Sequence, residues 1–311
     1  MQFRNWIILM VFLGITGTTT AFVLDHIRSS QNSTAPKEFP EYKELWEEVA
    51  ALESDGLYRK ALSKVEDILK KALTEKNDPQ VVKAFFYKIK FANWLEEEDY
   101  VTSIASLEKV KDRTEEPLRQ ITHSLIGLIY WHNYQQNRWS IYERSESTDM
   151  KEEDIRTLDI KTLVSRINEH FDASLENPEL LQSVALSDYE AIITPDSADF
   201  SLRPTLYDLL ADRALTYFAT SDSWWGTPQD AQTTCRRDLF ESAANYISLS
   251  IPITDSSAIG SNKVLNLFKD AVAFHLDDKD PNALIEYDLQ RINYMYMLST
   301  LPKEEKDSLY T

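Results

Sequence analysis

One cysteine, Cys235, stands in a chain of 311 residues. No disulfide can form within the chain, so packing alone must hold the fold. Glycine is also scarce: six residues leave little material for the many tight turns of a β-rich architecture. Basic residues are outnumbered, 33 Lys and Arg against 51 Asp and Glu, for a net charge of −18. Such a surface repels phosphate backbones, which excludes nucleic acid as a partner class and reads as a solvated acidic exterior. The catalytic signatures are missing as well. There is no HExxH, no nucleophile elbow and no phosphate-binding loop. His123 and His132 are nine residues apart, about half a turn out of phase on a helix, so they cannot share a metal. His26, His170 and His275 are isolated. Asp277, Asp278 and Asp280 lack the ligand alternation of a calcium loop and read as a helix cap. Arg236 and Arg237 directly follow Cys235 and could lower its pKa, but no His/Asn arrangement accompanies it, so it reads as an inert thiol. No enzyme activity, metal or cofactor is expected from these residues.

Hydrophobic residues make up 43% of the chain and aromatics 11%, which argues for a folded globular body. The N-terminus has the form of an export signal. Arg4 supplies a positive start, Trp6 to Ile15 an apolar segment, and Thr19 and Ala21 the small residues of a cleavage site. The alternative is an uncleaved anchor from Trp6 to Val23. Either way the protein is expected to be exported, to the periplasm or cell envelope, with membrane contact only through this segment. No lipoprotein cysteine follows it. Residues 22–40 read as a polar linker. They hold the sequon Asn32-Ser33-Thr34.

From Tyr42 onward the apolar residues recur at helical spacing. Leu45, Trp46, Val49 and Leu52 mark a first helix that Gly56 stops. A second runs over 57–76, with Ala61, Leu62, Val65, Ile68, Leu69 and Ala72 on one face. Asn77-Asp78-Pro79 stops it and starts a third helix over 81–95. Further helices are expected over 99–110, 117–137 and 157–175, and from Pro204 along the stripe Tyr207–Leu210–Ala211–Ala214–Leu215–Phe218. Others follow over 264–276 and 283–298, and one more starts near Leu301. Residues 138–156 read as an irregular connection, 181–203 as mixed, and 221–234 as a loop. Tyr58 with Ala61 echoes Tyr100 with Ser103 in a weak repeat. Its spacing, about 42 residues, exceeds the tetratricopeptide period of about 34. The expected fold is therefore all-α: an irregular array of antiparallel helical hairpins, tetratricopeptide-like (an α-solenoid), over residues 41–137, then a second helical half over 157–311. The last helix begins close to the end of the sequence, so continuation into a longer chain is expected.

Two groups of residues stand out. Residues 121–142, ITHSLIGLIYWHNYQQNRWSIY, carry an apolar helix into aromatics, amides and Arg138. The expectation is a packed joint in which Arg138 finds a carboxylate. Asp208 and Asp212 are four apart on one helix, behind Arg203, and a buried network of Arg138, Arg203, Asp208 and Asp212 is expected. Trp224 and Trp225, in the 221–234 loop, are the candidate partner-binding residues.

Four blocks resemble the alpha-2-macroglobulin family of Bacteroidota. They are Trp46 through Ala61; His123-Ser124-Leu125 with Tyr130-Trp131 and 134–139; Leu202 through Leu215; and Ala273-Phe274-His275-Leu276 through Asp280-Pro281 to Ile285. The second and third are the specific ones. The resemblance implies an exported protein far longer than this chain, with a helical N-terminal region ahead of β-sandwich domains. It also implies a protease trap in which some members tether their target through a Cys-Gln thioester. Cys235 is followed by Arg236-Arg237-Asp238 and does not match that thioester, and no bait region is visible. The chain's expected share is scaffold or interaction, with downstream domains of a longer parent, target proteases or envelope proteins as partners. A tetratricopeptide-like periplasmic or outer-membrane adaptor, binding protein or glycan, is the alternative.

Overall fold

A computed structural model describes residues 40–95, 100–143, 155–192, 200–224, 236–252 and 260–310. Among these the chain is all-helical, without a strand. No helix among them is long and apolar enough to cross a membrane. The leader, the linker, Cys235 and Trp225 lie outside the described residues.

The chain forms two compact units. The first takes residues 1–114 and 185–198, the second 115–184 and 199–311. The second begins at Glu115, so the aromatic-rich helix 118–142 belongs with the later helices.

In the first unit, α1 (Pro40–Ser54), α2 (Tyr58–Glu75) and α3 (Asp78–Trp94) pack in succession, and α4 (Tyr100–Lys111) follows. Gly56 makes the α1–α2 turn possible. Its φ of 70° lies in the left-handed region, and the Leu57 N–H returns to the Leu52 carbonyl at 2.8 Å. The next turn uses Lys76 at φ 52°, with the Asn77 N–H on the Ala72 carbonyl at 2.9 Å. A non-glycine there costs about 1 kcal/mol, which the closed helix end offsets. Ala61, Val65, Ile68 and Ala72 form the buried face of α2, as their spacing predicts, and α2 packs on α3, where Val81, Ala84 and Phe85 are buried. The helical turn at 186–192, expected to be irregular, packs on α3 through buried Tyr189.

The second unit is built on α5 (Leu118–Tyr142) and α6 (Ile160–Ala173). They approach closely at Gly127, where an added Cβ would stand 3.3 Å from the Phe171 ring. The helix expected to end at Asn137 instead kinks there, at φ −111° and ψ 15°, and runs on to Tyr142. The Asn137 amide donates to the Asn133 carbonyl at 3.0 Å, a side-chain insertion of the kind that kinks helices. Residues 138–142, expected as part of a connection, are therefore helical. α7 (Pro178–Ser183) leads to α8 (Leu206–Phe218), the central helix of the unit, which packs on α5, on α7 and on α10 (Ser261–His275). α9 (Ala243–Tyr246) and α11 (Asn282–Leu298) also pack on α10, and α12 (Lys303–Tyr310) on α11.

Candidate functional site

The expected network divides into separate pieces. Thr205 and Asp208 cap α8 reciprocally. The Thr205 hydroxyl accepts from the Asp208 N–H at 3.4 Å, and the Asp208 carboxylate accepts the Thr205 N–H at 2.9 Å and its hydroxyl at 2.7 Å. The same carboxylate takes His275 Nε2 at 2.8 Å and the Tyr287 hydroxyl at 3.2 Å. Asp278 holds the other imidazole nitrogen at 2.7 Å. Asp208 and His275 side chains are wholly buried. Burial alone would lower the pKa of His275. The hydrogen bonds to Asp208 and Asp278, with their charges, override it, and the ring is held above its ordinary value. Asp278 thus serves the end of α10, close to its expected capping role, and the Asp280 carboxylate accepts the Asn282 N–H at 3.1 Å.

Arg203 and Asp212 pair with each other at 2.8 Å, with Glu286 at 4.0 Å. Arg138 joins neither group. It donates to Asp222 at 3.1 Å, and its guanidinium lies over the rings of Tyr134 and Tyr142. Trp131 Nε1 reaches the same carboxylate at 3.4 Å. The arginine found its carboxylate, but not one of those expected. Asp222 lies just past α8, where no helical spacing tied it to Arg138. Trp139 of the same stretch is 83% exposed and does not share in the packing. Trp224 ends a short helical turn at 221–224, and its side chain, with Trp225, lies outside the described residues. His123 and His170 meet at 3.1 Å between Nδ1 atoms, a pairing across α5 and α6 that spacing along one helix does not reveal.

A concave feature of the second unit is a cleft of about 730 Å³. One wall is a stripe of α10: Lys263, Asn266, Leu267, Asp270, Ala273 and Phe274. The rest of the lining is Pro178, Glu179 and Gln182 of α7, with Asp172 and Leu175 before it, and Tyr207 and Phe218 from the two ends of α8. Tyr207 meets Phe274 edge to face at 5.9 Å. Lys263 pairs with Asp172, and its ammonium lies 3.9 Å from the centre of the Phe218 ring. Burial pushes Lys263 down, and Asp172 partly restores it. Asp270 is exposed as a side chain, yet the wall crowds it enough that desolvation lifts its carboxyl, with Lys269 opposing.

Sequence reasoning named Tyr207, Phe218, Ala273 and Phe274 of this lining, but as stripe and block residues and not as parts of a cleft. The one available signal was the pair Lys269-Asp270 interrupting an otherwise apolar helical run. The cleft's neighbours in sequence, Asp208 and His275, sit directly behind Tyr207 and Phe274, so the buried network fixes the helices that carry the aromatic wall. Among the described residues no cluster of three or more metal-ligating side chains occurs. No protein-family model, curated protein or solved structure matches the chain.

Proposed function

We propose that this chain is the helical scaffold and interaction region at the N-terminus of an exported alpha-2-macroglobulin-like protein, whose longer parent acts as an endopeptidase trap. One observation carries the reading. The third and fourth blocks of resemblance, around Asp208 and Ala273 to Ile285, meet in the buried Asp208–His275 contact at 2.8 Å, 67 positions apart in sequence. Residues in the quoted blocks are therefore those that lock helices together, which is what a scaffold requires of them. Cys235 lacks the neighbours of a thioester, so trapping chemistry belongs to other parts of the parent. Its partners here are the parent's downstream domains, and target proteases or envelope proteins.

A second reading has its own support. Consecutive packing of α1, α2 and α3 across short turns agrees with a tetratricopeptide-like array of antiparallel hairpins, and the cleft gives an adaptor a place to bind. The transcript downstream of Thr311 separates the two. Continuation into sequence with strand alternation supports the trap parent; a stop codon directly after Thr311 supports a periplasmic or outer-membrane adaptor.

A further inference from the structure

The cleft of the second unit combines length, apolar walls and an unbalanced charge. Its α10 stripe runs from Lys263 to Phe274. At the helical rise this is about 16 Å, the reach of about five extended residues. The walls are apolar for most of that distance, through Leu175, Pro178, Leu267, Ala273 and the rings of Tyr207, Phe218 and Phe274.

The polar groups that remain are mostly acceptors. Lys263 is already neutralised by Asp172. Asn266 donates its amide N–H groups to the carbonyls of Asn262 at 2.8 Å and Ile251 at 3.4 Å, which leaves its oxygen for another donor. Glu179 and Asp270, on different helices that line the cleft, are exposed and make no hydrogen bond or ion pair among the described residues. Lys269 precedes Asp270 on α10, and its ammonium donates to the Leu249 carbonyl at 2.6 Å. Three carboxylates therefore line the cleft beside one lysine, and two of them, Glu179 and Asp270, are in no ion pair among the described residues. The chain's net charge of −18 adds a field that draws cations toward it.

We propose that this cleft binds an extended polypeptide segment carrying a basic side chain between apolar ones. The guanidinium or ammonium sits between Asp270 and Glu179, with the Asn266 oxygen as a further acceptor. The flanking apolar side chains lie against Tyr207, Phe274 and Leu267. An arginine suits the site better than a lysine, because its planar fork can bridge two carboxylates and stack on a ring. This inference is independent of the parentage proposed above: a stop codon after Thr311 leaves it intact, and failed binding leaves the parentage intact.

Fluorescence anisotropy with the whole chain tests it. The probes are a labelled five-residue peptide with one arginine between pairs of leucines, and the same peptide with glutamate in place of arginine. The arginine peptide should bind at least tenfold more tightly. Asp270→Asn and Glu179→Gln should each weaken it about fivefold and leave the glutamate peptide unchanged or slightly improved. Both substitutions are at exposed positions, so circular dichroism and the melting temperature should match the parent. No binding of the arginine peptide at millimolar concentration overturns the proposal. So does equal binding of the two peptides, or affinity unaffected by both substitutions in folded protein.

Discussion

Asp208 has four hydrogen-bonding groups around one buried carboxylate: the Thr205 N–H and hydroxyl, His275 Nε2 and the Tyr287 hydroxyl. Asp208→Asn removes the charge that His275 faces and puts an amide donor where acceptors are needed. Stability should fall by about 3–5 kcal/mol, the cost of breaking a buried pair. Arg138→Ala should cost much less, about 1 kcal/mol, because the Arg138 side chain is 43% exposed and Trp131 still donates to Asp222. Urea denaturation of both variants checks the ranking; equal losses would refute it. His275 adds a pH dependence. Its pKa is raised above 6.5 in the folded protein, so its stabilising contribution is complete below that value. It is lost as pH rises through the folded pKa. Unfolding free energy, measured from pH 6 upward, should fall more steeply in the parent than in His275→Gln. Identical slopes would mean that the ring carries no extra proton in the fold. The sequence marked Arg203, Asp208 and Asp212 by helical spacing, and all three are engaged. It could not match Arg138 to Asp222 or Asp208 to His275. Those partners are 84 and 67 positions apart, and no local periodicity links them.

At the scale of the helices, the α5–α6 contact depends on a missing side chain. Gly127→Ala gains about 1 kcal/mol of helix propensity. It also sets a methyl against a Phe171 ring that stacks on Tyr217 at 4.9 Å and cannot easily move. Overpacking of this kind costs about 1–3 kcal/mol, so the variant should be less stable on balance. Phe171→Leu added to it should relieve the clash, and the double variant should be more stable than additivity predicts. A Gly127→Ala protein more stable than the parent would show that the ring gives way. Helix positions were largely legible from the sequence, because the apolar faces of α2, α8 and α10 keep their 3.6-residue period. The extension of α5 past Asn137 was not, because its last turn is held by Arg138 and rings instead of an aliphatic stripe. Arg291 escaped for a similar reason. A charged residue in a helix reads as surface, yet Arg291 is fully buried on α11. It donates to the backbone carbonyls of Leu239 and Glu241 and lies over the Tyr246 ring. It thereby ties a segment with little helical pattern to the helices.

For the whole molecule, composition alone already separated the classes. Scarce glycine and cysteine pointed to a packed helical protein, and the acidic balance pointed away from nucleic acid. The first agrees with a body that is all-helical among the described residues. The cleft belongs to a different level, because its walls come from helices separated by about 85 residues of chain and its charge imbalance emerges only when they meet. The proposed role, the helical region of a larger exported trap, makes a direct statement about the native polypeptide. An antibody raised against residues 41–310, applied to fractionated cells of the native host, reads both its size and its place. The account predicts one species much larger than a 311-residue chain, in the envelope or periplasmic fraction. A cytoplasmic species of only this chain's size would contradict it.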